Sequence, residues 1–126
     1  MIDTYKTDRA RAILDKIGWP EWKDCRRGEM RLRLFWDAAI GRLFIHEANG
    51  VLEGDASISD HLALCLLRNH LREWLTTRGR SVGFDADAPS KIEYYVWDLR
   101  GGYTIYHDYD EALLAAAEAV LAKENR

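Results

Sequence analysis

The sequence predicts a mixed α+β fold: a small antiparallel three-stranded sheet with helices on one or both faces, in the order α-α-α-β-β-β-α. Three observations predict it. Leu64, Leu67, Leu71, Trp74 and Leu75 recur at helical spacing and stop before Gly79. Short alternating runs follow, best seen where Ile92, Tyr94 and Val96 interleave with Glu93, Tyr95 and Trp97, and Arg100-Gly101-Gly102 has the composition of a hairpin turn. The chain then passes through Tyr103 to His107 into a second helical stripe formed by Leu113, Ala116, Ala117, Val120 and Leu121.

The elements are expected in this order. A first helix runs from about Asp8 to Ile17: Thr7 offers a capping oxygen, Ala10, Ile13, Leu14 and Ile17 fall on one face, and Gly18 supplies the exit. Pro20 denies any continuation, so Trp19 and Trp22 ride on a connector. A second helix is expected near Glu29 to Ala48. Leu32, Phe35, Trp36, Ala39, Ile40, Leu43 and Phe44 form its main stripe, and Leu34, Ala38 and Ile45 lie across from them. Met30 to Leu34 alternates, which a hairpin would also explain; the longer helical register takes precedence. Ser57 or Ser59 caps a third helix that reaches about Arg78, with Ile58, Leu62, Cys65 and Leu66 opposite its main core face. Strands are expected at about Arg80 to Phe84, Lys91 to Asp98 and Tyr103 to His107. Asp108 and Glu111 open the closing helix at capping-box spacing. Residues 1–50 thus read as a helical pair and residues 57–123 as an α-β-β-β-α unit, within a single domain. Tyr95, Trp97 and Tyr106 are expected to share a sheet face, and the helical pair is available to cover it.

Bulk properties narrow the class. Of 126 residues 48% are hydrophobic and 31% charged, a globular composition. Two cysteines make no disulfide framework; Cys65 sits in an apolar run, and Cys25 lies beside Arg26 and Arg27. No run approaches the roughly 18 apolar residues of a membrane span, and no signal-peptide core appears, so a cytoplasmic protein is expected. The net charge of −3 is asymmetric: residues 1–50 carry 10 Lys/Arg against 8 Asp/Glu, and residues 51–126 carry 8 against 13. The basic run Lys23 to Arg33 is a modest patch, short of the footprint of a dedicated nucleic-acid binder.

Motifs for chemistry are sparse. His107, Asp108 and Asp110 invite a metal or acid–base reading, but capping accounts for the carboxylates and the spacing matches no ligand motif. His46-Glu47 begins like a zinc-protease motif, yet Gly50 stands where its second histidine belongs. His61 and His70 face different sides of their helix. Neither a nucleophile elbow nor a phosphate loop is present. No cofactor is expected and enzyme activity is disfavoured.

Aromatic residues interleaved with basic ones give the strongest binding signal: Trp19, Trp22, Arg26, Arg27, Arg31 and Arg33, residue types that anchor interfaces. Asp85, Asp87, Asp108, Asp110 and Glu111 form a second, acidic candidate surface suited to an Arg-rich partner. Over Ile58 to Lys123 the α-β-β-β-α order resembles the double-stranded-RNA-binding domain. That family places lysines at the start of its closing helix; Asp108, Asp110 and Glu111 stand there in this chain and would repel phosphate. The C-terminal half, with Tyr109-Asp110-Glu111 leading into Ala112 to Ala117, also resembles small phage-encoded helix–sheet–helix sandwich proteins, and some small phage proteins inhibit host defence by binding. The expectation is a non-catalytic protein-interaction module, monomeric or homodimeric, whose partner is another protein. Nucleic-acid binding through Lys23 to Arg33 is the first alternative, and an enzyme or small-ligand protein at the His107/Asp108 corner the second.

Overall fold

A computed structural model of the chain describes residues 7–20, 23–24, 31–39, 41–47, 56–88, 91–97 and 101–124. Its elements are α1 (Thr7–Ile17), β1 (Lys23–Asp24), β2 (Arg31–Asp37), β3 (Arg42–Glu47), α2 (Ala56–Thr77), β4 (Gly83–Ala88), β5 (Lys91–Trp97), β6 (Tyr103–Tyr106) and α3 (Tyr109–Glu124). The fold is mixed α+β, and the expected α-β-β-β-α order of the C-terminal half is present as α2-β4-β5-β6-α3. Two antiparallel meanders are formed, β1-β2-β3 and β4-β5-β6, and the chain divides into two compact units, Met1–His70 and Leu71–Arg126. Among the described residues no helix is long and apolar enough to cross a membrane.

In the first unit α1 forms as its stripe predicts, burying Ala10, Ile13 and Leu14. The second expected helix is absent; a hairpin takes its place. β2 and β3 pair with Leu34 opposite Ile45 and Trp36 opposite Leu43. Leu34, Leu43 and Ile45 are buried, so period-2 alternation places one apolar face inward, while Arg33 on the other face is exposed. The turn explains why a helix loses. The Asp37 carboxylate accepts the Ala39 N–H at 2.9 Å, the Asp37 carbonyl accepts the Gly41 N–H at 2.8 Å, and Gly41 adopts φ +65°, outside the helical region. The helical pair expected over residues 1–50 is therefore one helix followed by a three-stranded meander.

α2 buries Ala63, Leu67, Leu71 and Leu75, four apolar positions each one turn apart; Cys65 is half-buried. Its C-terminus is a Schellman turn: the Gly79 N–H bonds the Thr76 carbonyl at 3.0 Å and the Arg80 N–H the Leu75 carbonyl at 2.9 Å, with Gly79 at φ +68°. This reversal launches β4. α3 packs on β5 and β6 and buries Ala112, Leu113, Leu114, Ala116, Ala117 and Leu121. Each fully buried leucine contributes about 1.5–3 kcal/mol relative to exposure. The Arg78 guanidinium bonds Glu124 Oε1 at 2.7 Å and lies 4.0 Å from the centre of the Trp74 ring, fixing the end of α2 to the end of α3.

Candidate interaction surfaces

The register of the second meander decides which side chains share a face. Trp97 pairs with Tyr103, Tyr95 with Ile105 and Gly83, and Asp85 with Glu93. Directly opposed residues project to the same side, so these residues form one face. Tyr94 pairs with Phe84 and Tyr106 on the other, where the Tyr94 ring meets Tyr109 of α3 at 5.3 Å. On that side α3 packs against Tyr94, leaving Phe84 63% and Ile92 37% exposed. The Tyr95 side is open: Trp97 is 51% exposed, Tyr103 52% and Ile105 43%. Two expectations are corrected here. Tyr106 does not share the face of Tyr95 and Trp97, and that face is not blanketed by helices.

The open face carries a ladder of rings. Tyr95 and Tyr103 lie edge-to-face with centres 5.2 Å apart, and Trp97 and Tyr103 likewise at 5.0 Å. Such offset contacts contribute about 0.5–1.5 kcal/mol beyond the area they bury, and they hold the rings in fixed orientations while leaving Trp97 and Tyr103 half in water. Beside the ladder the Tyr95 hydroxyl donates to Glu93 Oε2 at 2.9 Å, with Asp85 Oδ2 at 3.5 Å from the same oxygen. The hydrogen bond to Glu93, with the negative field of Glu93 and Asp85, pushes the Tyr95 phenol up to about 12. Asp85 and Glu93 face each other directly across the strands, an arrangement that like charges disfavour. Among the described residues no ion pair to either carboxylate is formed.

The acidic surface expected from sequence is dispersed. Asp85 belongs to the open sheet face, and Asp87 lies in β4 with its side chain outside the described residues. Asp108 caps α3: its Oδ1 accepts the Asp110 N–H at 2.9 Å and its carbonyl accepts the Ala112 N–H at 3.0 Å. Asp110 is 9% exposed, so it cannot belong to a surface, and Glu111 is half-buried in the first turn. The neighbouring His107 is exposed, its Nδ1 3.4 Å from the Ile92 carbonyl. Among the described residues no three His, Cys, Asp or Glu side chains converge as metal ligands do.

The basic–aromatic set is also divided. Trp22, Arg26 and Arg27 lie outside the described residues, and Arg31 pairs with Asp24 in the β1–β2 register, its side chain likewise not described. Trp19 and Arg33 do come together, lining an open cleft of about 420 Å³ between α1 and β2 with Arg11, Asp15 and Trp36. Its charges are met internally. Arg11 lies 3.8 Å from Asp15 and its guanidinium 5.0 Å from the centre of the Trp36 ring, while the Trp19 indole N–H donates to Asp15 at 3.1 Å. His70 Nε2 meets the Gly18 carbonyl at 2.9 Å, so it secures the α1 exit. Sequence reasoning missed Glu93, Tyr103 and Ile105 as surface residues. The hairpin register held the signal: aligning Trp97 with Tyr103 across the Gly101-Gly102 turn brings all of them to one side.

No family model, curated protein or solved structure matches this chain.

Proposed function

We propose that this protein is a non-catalytic protein-interaction module that docks through the open face of the β4-β5-β6 sheet. The observation that supports the reading is the exposure of Trp97, Tyr103 and Ile105 side by side on one face of a regular sheet. Half-exposed tryptophan and tyrosine held rigid by ring contacts are the side chains that anchor interfaces, because little rotamer freedom is lost when a partner covers them. Scattered exposed apolar residues need no such explanation; contiguous ones do. A role as a phage-encoded accessory protein or inhibitor of a host protein fits this reading, since inhibition by occupancy requires a docking face and no reactive cleft. The Arg11/Trp19/Arg33/Trp36 cleft supports it less well, because Asp15 and Trp36 already engage Arg11.

The test is selection from a random-peptide display library on the immobilised protein, with each clone retested on Trp97→Ser/Tyr103→Ser. Circular dichroism on both proteins establishes that the variant is folded. Clones that lose binding to the variant support the docking face. Clones that bind both equally refute it.

A further inference from the structure

We infer that the open sheet face receives a short extended segment of a partner protein bearing arginine side chains, one guanidinium met by Asp85 and Glu93 beside the Tyr95 ring and another seated against the Tyr103 and Trp97 rings. The inference rests on the docking reading above and specifies its occupant.

Size argues for a segment over a globular partner or a second copy. The seven residues of β5 run about 23 Å at roughly 3.3 Å each, and three strands about 4.8 Å apart span about 10–15 Å. The footprint is on the order of 300 Å², well below the roughly 800 Å² per partner of a standard stable interface. A single extended chain laid along β5 fits that area.

Charge selects the occupant. Asp85 and Glu93 are directly opposed across β4 and β5, with the Tyr95 hydroxyl shared between them and no ion pair formed by either among the described residues. Two facing carboxylates repel, and a cation inserted between them converts that repulsion into two attractive contacts. Face-to-face self-association would instead add two more carboxylates. Two carboxylates are also too few donors for a hard metal ion, which takes six or more oxygens. The neighbouring rings extend the preference, since exposed Trp97 and Tyr103 present π-faces that attract cations. Arginine suits both halves of the site: its planar guanidinium stacks on a ring and donates bidentately to carboxylate, and lysine does neither as well.

Fluorescence anisotropy with labelled ten-residue peptides tests the inference, using Arg/Gly, Lys/Gly, Glu/Gly and Ser/Gly sequences of matched length. The proteins are wild type, Asp85→Asn/Glu93→Gln, Trp97→Ala, and Glu73→Gln/Glu118→Gln, which removes the same charge elsewhere. The Arg peptide is expected to bind tightest. The on-face charge pair should weaken it about tenfold or more, the off-face pair less than about twofold, and Trp97→Ala about 30-fold. The near-isosteric amide variants keep the result interpretable even if Trp97→Ala fails to fold. Equal loss in both charge pairs, or an Arg peptide bound no better than the Ser peptide, overturns the arginine assignment. If a neutral or acidic peptide binds and Trp97→Ala abolishes it, docking stands and the occupant's chemistry is refuted. If no peptide responds to a folded Trp97→Ala, the docking face itself is refuted.

Discussion

Gly79→Ala isolates the turn that delivers the chain from α2 into the sheet carrying the open face. Gly79 sits at φ +68°, and a Cβ built there has nothing within 4 Å, so no clash enters the argument. What remains is the backbone term. A non-glycine residue in the left-handed region costs roughly 1–2 kcal/mol, and alanine returns about 0.4–1 kcal/mol by restricting the unfolded chain. The net destabilisation is about 1 kcal/mol. At roughly 2.1 cal/mol/K per residue over 126 residues this lowers the melting temperature by about 4 °C. Gly79→Asn should lose less than half as much, because asparagine tolerates the left-handed region. Gly83→Ala is the internal control: it lies in β4 without a positive φ, its new Cβ would meet Tyr95 Cβ at 3.4 Å, and a strand gains from losing a glycine. Thermal and urea unfolding followed by far-ultraviolet circular dichroism measure all three. If Gly79→Ala melts with wild type, the left-handed turn between α2 and β4 is refuted.

Three further outcomes are expected. In an ultraviolet titration one of the six tyrosines should ionise near pH 12, and Glu93→Gln should bring it down towards 10. Because Tyr95 holds its proton more tightly folded than unfolded, its contribution to stability is fully present below pH 10 and is lost as pH rises from about 10 to 12; constant stability across that window would contradict it. Asp108→Ala removes the α3 cap and should cost about 1 kcal/mol in urea unfolding, with Asp108→Ser recovering most of it; an unchanged midpoint would show the cap to be idle. Leu71→Ala, at a position with no exposed surface, should destabilise by about 2–5 kcal/mol, and a loss under 1 kcal/mol would contradict its place in the core.

The C-terminal half was legible because its signals were local and mutually consistent. Gly79 stopped a helix, Gly101-Gly102 turned a hairpin, and Asp108 began the closing helix, each for a reason written in one or two residues. The region of β2 and β3 misled because its apolar residues satisfy two periods at once. Leu32, Phe35, Trp36, Ala39, Ile40 and Leu43 trace a helical stripe, whereas Leu34, Trp36, Leu43 and Ile45 trace one face of a hairpin. Asp37 and Gly41, whose carboxylate and left-handed backbone close the turn, decide between them. Gly41 was visible within the stripe, but a glycine in a helix costs only about 1 kcal/mol and does not veto one. The placement of Tyr106 with Trp97 failed for a related reason: a strand's alternation is visible in sequence, but which partner stands opposite depends on the turn, and one residue of slip exchanges the faces.

The two aromatic–charged arrangements in this chain differ in a way that bears on function. In the first unit Arg11 finds both its counter-charge, Asp15, and its ring, Trp36, within the fold, and Asp15 also accepts from the Trp19 indole. A ligand entering that cleft would have to displace contacts already made, so only the difference between old and new contacts would favour binding. In the second unit Tyr95, Tyr103 and Trp97 pair with one another, and Asp85 and Glu93 share one phenol proton. A guanidinium arriving there displaces no cation among the described residues and relieves a repulsion, and the rings beside it are already oriented. The sheet face has complementary contacts left to give, and the cleft has largely used its own.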